Sequence, residues 1–234
     1  MSWVLANLPT IAGHLLAHLL QAVPAIVASF VLAIPIARLA RVTRPLRAVL
    51  VTGSSLLYAV PSLALFVILP IILATGIRDP LNVIVALTLY GLALLVPATA
   101  DALDAVDARV LDAATAMGMG RLRCFLTVEL PLAGPAILTG LRVVTVSTIS
   151  LTTVGAVLGV RSLGWLFTDG FQRGITAEIV TGLVATAALA LVLDGLVLAL
   201  GRLCLPWTWK RAGAVKRAAV KAGAAASESQ EAEA

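Results

Sequence analysis

Apolar residues fill this chain in long runs, and the polar positions between them are few and clustered. No Asp, Glu, Lys or Arg occurs over residues 1–37, 48–77, 80–100 or 143–160. Each gap approaches or exceeds the roughly 18–20 apolar residues that carry a helix across a bilayer's hydrocarbon core. The pattern predicts five transmembrane helices, over residues 15–37, 49–75, 81–99, 136–158 and 179–200, with residues 1–14 as a short extracytoplasmic segment. Pro24, Pro35, Pro61, Pro70 and Pro97 fall inside these spans. A membrane bundle tolerates them because neighbouring helices and Ser/Thr side chains satisfy the carbonyls that proline frees. The expected fold class is therefore an all-α integral membrane protein.

Composition sharpens this by exclusion. Of 234 residues, 60% are hydrophobic and only 12% charged, against about 25% charged in an ordinary soluble domain. The first basic residue is Arg38, so no basic stretch opens a signal peptide and the first apolar segment is expected to stay in the mature protein. Cys124 and Cys204 are too few for a disulfide framework or a cysteine metal cluster. His14 and His18 have the spacing of a two-histidine metal pair, but no acidic residue precedes Asp79. They read as interfacial histidines near a membrane surface, and no cofactor or metal is predicted.

The basic residues orient the chain, because loops kept in the cytoplasm carry the Lys/Arg excess. Arg38, Arg41, Arg44 and Arg47 follow the first span; Arg109, Arg121 and Arg123 follow the third; Arg202, Lys210, Arg211, Lys216, Arg217 and Lys221 follow the last. The other side receives only Arg78, Arg161 and Arg173. Five spans then put the N-terminus outside and the C-terminus in the cytoplasm. The net charge of +5 is a topology signal, and no aromatic residues interleave with the cations as a nucleic-acid platform would need. Beyond Pro206, residues 207–234 change character: Trp207 and Trp209 read as interfacial anchors, Lys210 to Lys221 is basic, and Ser227 to Ala234 is acidic. Such a tail is expected to be disordered or loosely helical, either solvated or resting on anionic lipid.

The one long polar connection, residues 101–135, has helical periodicity. Leu103, Val106, Val110, Ala113, Ala114 and Met117 recur every three or four residues, with Asp101, Asp104 and Asp112 on roughly the opposite face. The glycines of Met117-Gly118-Met119-Gly120 predict a turn, followed by a second short helix that stops at Leu130-Pro131, reinforced by Pro135. Periodicity alone fits either a compact knob projecting from the membrane or an amphipathic helix lying on its surface.

The spacing of this loop resembles a known element. Asp112-Ala113-Ala114, three residues, Gly118, nine residues, then Val128-Glu129-Leu130-Pro131 is similar to the EAA loop of ABC-importer permease subunits, with Asp standing for Glu and Val for Ile. The resemblance covers roughly Leu15 to Leu203. Val60-Pro61-Ser62-Leu63-Ala64-Leu65, Tyr90, Gly140-Leu141-Arg142 and Ser162-Leu163-Gly164 are similar to the glycine betaine, carnitine, choline and proline branch of that family. Where those members often read Gln-Thr-Ile-Pro-Ser, this chain has Tyr58-Ala59-Val60-Pro61-Ser62. The resemblance implies the type I ABC-importer permease fold and a coupling helix seated on a separate cytoplasmic ATP-binding subunit. It also implies a second permease copy or paralogue, an extracytoplasmic substrate-binding protein, and a compatible solute or quaternary amine as cargo. Alternatives from other classes are an importer for an amino acid such as methionine, or a secondary transporter driven by an ion gradient.

A quaternary amine cannot hydrogen-bond through its methylated nitrogen, so aromatic faces are its natural hosts. Tyr58 and Tyr90, with Phe66 near them and Pro61 and Ser62 alongside, are candidates to line a path or simply to pack. On the fourth span Thr145, Thr148 and Thr152 share a face that suits either a weakly polar track or helix contact; Gly155 and Gly159 give that span a close-packing pattern. Arg142 near a span end reads as a snorkelling cation. Asp194 lies eight residues before Arg202, about 12 Å along a helix, and is expected to face the bundle interior or a subunit interface and to hydrogen-bond there. No Lys precedes Lys210, so no phosphate-binding P-loop exists in the apolar region, and the chain is not expected to be an enzyme by itself.

Overall fold

The computed structural model describes residues 2–41 and 43–207. The expectations for Trp209, the basic run and the acidic end lie outside the described residues. After a short helix, Ser2–Ala6, come eight main helices: α1 (Leu8–Ala40), α2 (Pro45–Tyr58), α3 (Ser62–Leu73), α4 (Pro80–Asp104), α5 (Ala108–Ala116), α6 (Arg121–Leu158), α7 (Trp165–Arg173) and α8 (Thr176–Cys204). Among the described residues there are no strands.

Helices α1, α4, α6 and α8 are each long and apolar enough to cross a membrane, while α2 and α3 meet at a bend of 109°. Contacts along α4 decide how this pair runs. Arg47 beside α2's start pairs with Asp101 and Asp104 at one end of α4. Tyr90, near α4's middle, bonds to Val60 in the break. Asn82, at the other end, donates to the Gly76 carbonyl and accepts from the Thr75 hydroxyl beyond α3. Helices α2 and α3 therefore run along the length of α4 as two oblique pieces, and taken as one broken span they bring the candidate crossings among the described residues to five.

Local chemistry sets the ends. Asp79 caps α4 by accepting from Leu81 N at 2.9 Å, with Pro80 in the first turn where its missing N–H costs nothing. Asp107 caps α5 in the same way through Arg109 N. Pro131 does not stop a helix: α6 runs through it, and a π-helical turn over Phe125–Glu129 absorbs the misfit left by a residue without an N–H. The loop expected over 101–135 is thus shorter, with α4 reaching Asp104 and α6 beginning at Arg121. At its far end α6 tightens into a 3-10 segment over Thr153–Leu158. Residues 8–14, expected to precede the bundle, already belong to α1, and α7 is an element that the apolar pattern does not predict.

Helix pairs in a bilayer gain little from the hydrophobic effect and depend on close contact between small residues. Ala22, Ala25, Ala33 and Ala37 of α1 are fully buried. Ser29, also buried, donates to the Ala25 carbonyl at 2.7 Å and lies 3.2 Å from the Thr88 carbonyl of α4. A Cβ added at Gly91 would overlap the Ser29 side chain, so only glycine lets α1 and α4 approach this closely.

Candidate functional site

Two regions carry the candidate chemistry. The first is the knob built by α5 and the turn after it. Gly118 has φ +83°, a left-handed conformation that glycine adopts freely and that reverses the chain between α5 and α6. Ala114 is buried against the protein, whereas Asp112, Ala113 and Gly118 are exposed, as are Val110 and Met117. Val128, Leu130 and Pro131 are half-buried where α6 continues into the bundle. The motif thus supplies one inward alanine and an outward surface of small, apolar and acidic groups. Behind α5 lies a cavity of about 300 Å³ bordered by Arg38, Arg41, Leu111, Met119, Phe125 and Glu129. The Arg38 guanidinium sits 4.0 Å above the centre of the Phe125 ring.

The second region is the break between α2 and α3. Tyr58, Ala59, Val60 and Pro61 are all exposed, with Tyr58 at 47%. The Tyr90 hydroxyl donates to the Val60 carbonyl at 2.6 Å. The Tyr58 and Tyr90 rings meet edge to face, their centroids 6.0 Å apart. Half-buried Ser62 begins α3, whose first turn has no side-chain cap. Tyr90 is ten residues into α4, about 15 Å along it, so the break lies beside the middle of that candidate span. The structure thus brings Tyr58, Pro61, Ser62 and Tyr90 together, but Phe66 is buried in the core among Leu65, Leu69, Val83 and Leu87.

The other candidates fall elsewhere. Thr145, Thr148 and Thr152 are buried, and the hydroxyls of Thr145 and Thr152 donate to the carbonyls of Leu141 and Thr148 one turn earlier. Within the protomer they are enclosed by neighbouring helices. Gly155 is buried, with Val83 3.2 Å from where its Cβ would be. Gly159, expected to pack inside a span, instead ends the 3-10 segment at φ +79°, because the regular helix has already stopped at Thr152.

Asp194 is not alone, and Arg142 does not snorkel away: Arg142 Nε and Nη2 donate to Asp194 Oδ1 and Oδ2 at 2.7 and 2.6 Å. Spacing along a single helix cannot reveal this pair, which joins α6 to α8. Both residues lie six positions from the same end of their predicted spans, and that equal depth is the signal the sequence holds. His14 and His18 also depart from expectation. Both are buried: His14 stacks on Trp165, and His18 Nδ1 accepts from Leu163 N at 3.4 Å, while nearby Gln21 donates to the Arg161 carbonyl. They hold α1 against the first residue of α7 and the segment before it. Among the described residues no cluster of His, Cys, Asp and Glu is placed to hold a metal.

Residues 25–208 match the family described as binding-protein-dependent transport system inner membrane component. The chain is 30% identical over 198 residues to the choline transport system permease protein OpuBD of Bacillus subtilis, covering 84% of this chain and 86% of that one. It is 33% identical over 151 residues to the ergothioneine transport permease/ergothioneine binding protein EgtU of Helicobacter pylori, covering 64% of this chain but only 27% of that longer protein. Its fold superposes on the inward-facing MetNI methionine ABC transporter with a TM-score of 0.73 at 20% identity, over 83% of this chain and 95% of that one. The chain belongs to the binding-protein-dependent transport system inner membrane components and is a multi-pass permease with the type I ABC-importer fold.

Proposed function

We propose that this permease forms the translocation path of an ATP-driven importer for compatible solutes and quaternary amines of the glycine betaine, choline, carnitine or proline class. The observation that carries the reading is the exposed break between α2 and α3. Irregular backbone at membrane depth is not stable against hydrocarbon and persists only inside protein or beside water. Residues 58–61 lie open on the protomer surface, so a second permease copy or paralogue across a water-filled path meets that requirement. Tyr58 offers an aromatic face there to a cation that cannot donate a hydrogen bond. Choline and ergothioneine, the solutes named for the two relatives, both carry a trimethylated nitrogen, which supports this cargo class.

ATP hydrolysis belongs to a separate cytoplasmic subunit that seats the exposed surface of α5, and an extracytoplasmic substrate-binding protein delivers cargo to the opposite end. Arg38, Arg41, Arg47, Arg109, Arg121, Arg123 and Arg202 gather at the α5 end, against Arg78, Arg161 and Arg173 at the other. That asymmetry supports a cytoplasmic α5, with the N-terminus outside and the C-terminus inside. Closure of the ATPase would bias two packings of the bundle through α5, one open to each side.

The test is uptake of labelled choline and glycine betaine by proteoliposomes holding the permease, its ATPase and its receptor, with binding measured on the receptor. Uptake that needs ATP and the ATPase supports the reading; uptake by the permease alone under an ion gradient overturns it. A receptor that binds methionine and no quaternary amine would overturn the cargo class while leaving the importer.

A further inference from the structure

Acidic and basic side chains just behind α5 make contacts that no part of the EAA resemblance assigns. Arg41, one residue beyond α1, places Nε 2.9 Å from Asp104 Oδ1 in the last turn of α4, and its Nη1 pairs with Glu129 in the π-helical turn of α6. Arg47, at the start of α2, pairs with Asp104 and lies 3.4 Å from Asp101. Asp104 therefore bridges two arginines, and Arg41 bridges two carboxylates. Glu129 is the most enclosed member, with its side chain 12% exposed, while Asp101 at the rim is 73% exposed.

The helices joined here are the ones that matter mechanically. Asp104 and Glu129 stand on either side of the knob, Asp104 four residues before α5 and Glu129 in the first turns of α6, so a displacement of α5 reaches both through the segments that flank it. Arg47 lies at the start of α2, which passes through a π-helical turn over Ala48–Thr52 and then continues as α-helix to Tyr58 at the break. From Arg47 to Tyr58 is roughly 16 Å along the helix, short enough for the two ends to move together. Helix α4 returns to the same place: Tyr90, held to the Val60 carbonyl, is about 21 Å from Asp104 along the same rod. The two helices are thus pinned to each other at the charged cluster and again at the break.

The geometry points to Arg41 and Arg47 as positioning residues that deliver movement of the coupling helix to the broken span, acting through Asp104 and Glu129. Without the cluster, α5 can still seat on its partner and the partner can still hydrolyse ATP. The displacement is then taken up at the ends of α4 and α6 and does not shift α2 against α4.

This inference rests on the permease reading, and the experiment separates the two. Proteoliposomes with the full complex carrying Arg41→Gln, Glu129→Gln or both are measured for cargo uptake per ATP hydrolysed, beside the wild type and Arg173→Gln, whose pair with Asp169 lies at the opposite end. Wild-type complex without ATP-driven uptake would overturn the permease reading itself. The cluster predicts that each single variant lowers uptake per ATP by about tenfold with hydrolysis nearly unchanged. The double variant should be no worse than Arg41→Gln alone, because Glu129 joins the cluster through Arg41. Arg41→Lys, which keeps the charge but not the two-carboxylate reach, should fall between, and Arg173→Gln should match wild type. Should Arg41→Gln reduce the amount of assembled complex, Arg47→Lys and Asp101→Asn at the exposed rim are read instead and should lower uptake per ATP in the same direction. Unchanged uptake per ATP in these variants, or losses that simply add in the double variant, would overturn the assignment.

Discussion

Tyr58 and Tyr90 share one edge-to-face contact but sit in different environments, and their roles separate accordingly. Tyr90 is buried and ties down the Val60 carbonyl, while Tyr58 is half-exposed and has its ring available to a passing cation. A cation–π contact is worth about 0.5–2 kcal/mol, which corresponds to a factor of about 2–30 in affinity. Tyr58→Ala is therefore expected to raise the KM for choline or glycine betaine uptake within that range, with Tyr58→Phe close to wild type; equal KM values for wild type and Tyr58→Ala would remove the ring from the path. At the knob, Gly118 occupies a conformation that proline cannot reach, since the ring fixes φ near about −65°. Gly118→Pro, and likewise Asp112→Lys on the exposed face of α5, should abolish uptake while the chain still inserts in the membrane. Wild-type uptake in both variants would dismiss α5 as the coupling helix.

At the scale of elements, the sequence reveals long regular features and conceals those that depend on another part of the chain. The five apolar runs and the glycine reversal at Gly118 are legible, because each is written in adjacent residues; the Asp107-capped break before α5 is not, since the apolar periodicity over residues 103–117 runs straight through it. The break at residues 59–61 is partly legible: Pro61 marks a weak point, but a mid-span proline is also compatible with a simple kink. The Val60 carbonyl in that break accepts a hydrogen bond from Tyr90, thirty residues away, a contact no local pattern shows. Helix α7 hides because Asp169 and Arg173 make its segment read as loop, although Gly164 and Gly174 bracket it. The pairing of Arg142 with Asp194 is invisible within either helix, since it exists only once α6 and α8 pack. Removing one partner leaves the other charged at membrane depth, an unfavourable state that removing both avoids. Asp194→Leu should lower the yield of folded permease in detergent, and the Arg142→Leu/Asp194→Leu pair should recover it. Equal yields for the wild type and Asp194→Leu would mean the pair is dispensable. Gly91→Val should be the most damaging small-to-large change between α1 and α4, costing about 1–3 kcal/mol or more through overpacking against Ser29. A thermal unfolding midpoint equal to wild type would contradict that packing.

For the molecule as a whole, charge distribution and break location describe one machine. Cations collect at the end where α5 projects, the two helices flanking α5 are bound there by Arg41 and Arg47, and the broken span runs from that cluster to mid-depth. The residues that carry the candidate path are legible in the sequence as types but not as a set. Thr145, Thr148 and Thr152 look as suitable as Tyr58 until burial separates them. The central claim is that the exposed break faces water in the assembled importer, and its most direct test is chemical access. In a complex whose Cys124 and Cys204 are replaced by serine, Val60→Cys is treated with a water-borne, trimethylammonium-bearing thiol reagent, with and without ATP and cargo. The introduced thiol is expected to be modified in at least one nucleotide state, with glycine betaine or choline protecting it. Modification only by a lipid-soluble reagent, with the charged reagent excluded in every state, would place the break against the bilayer and contradict the account.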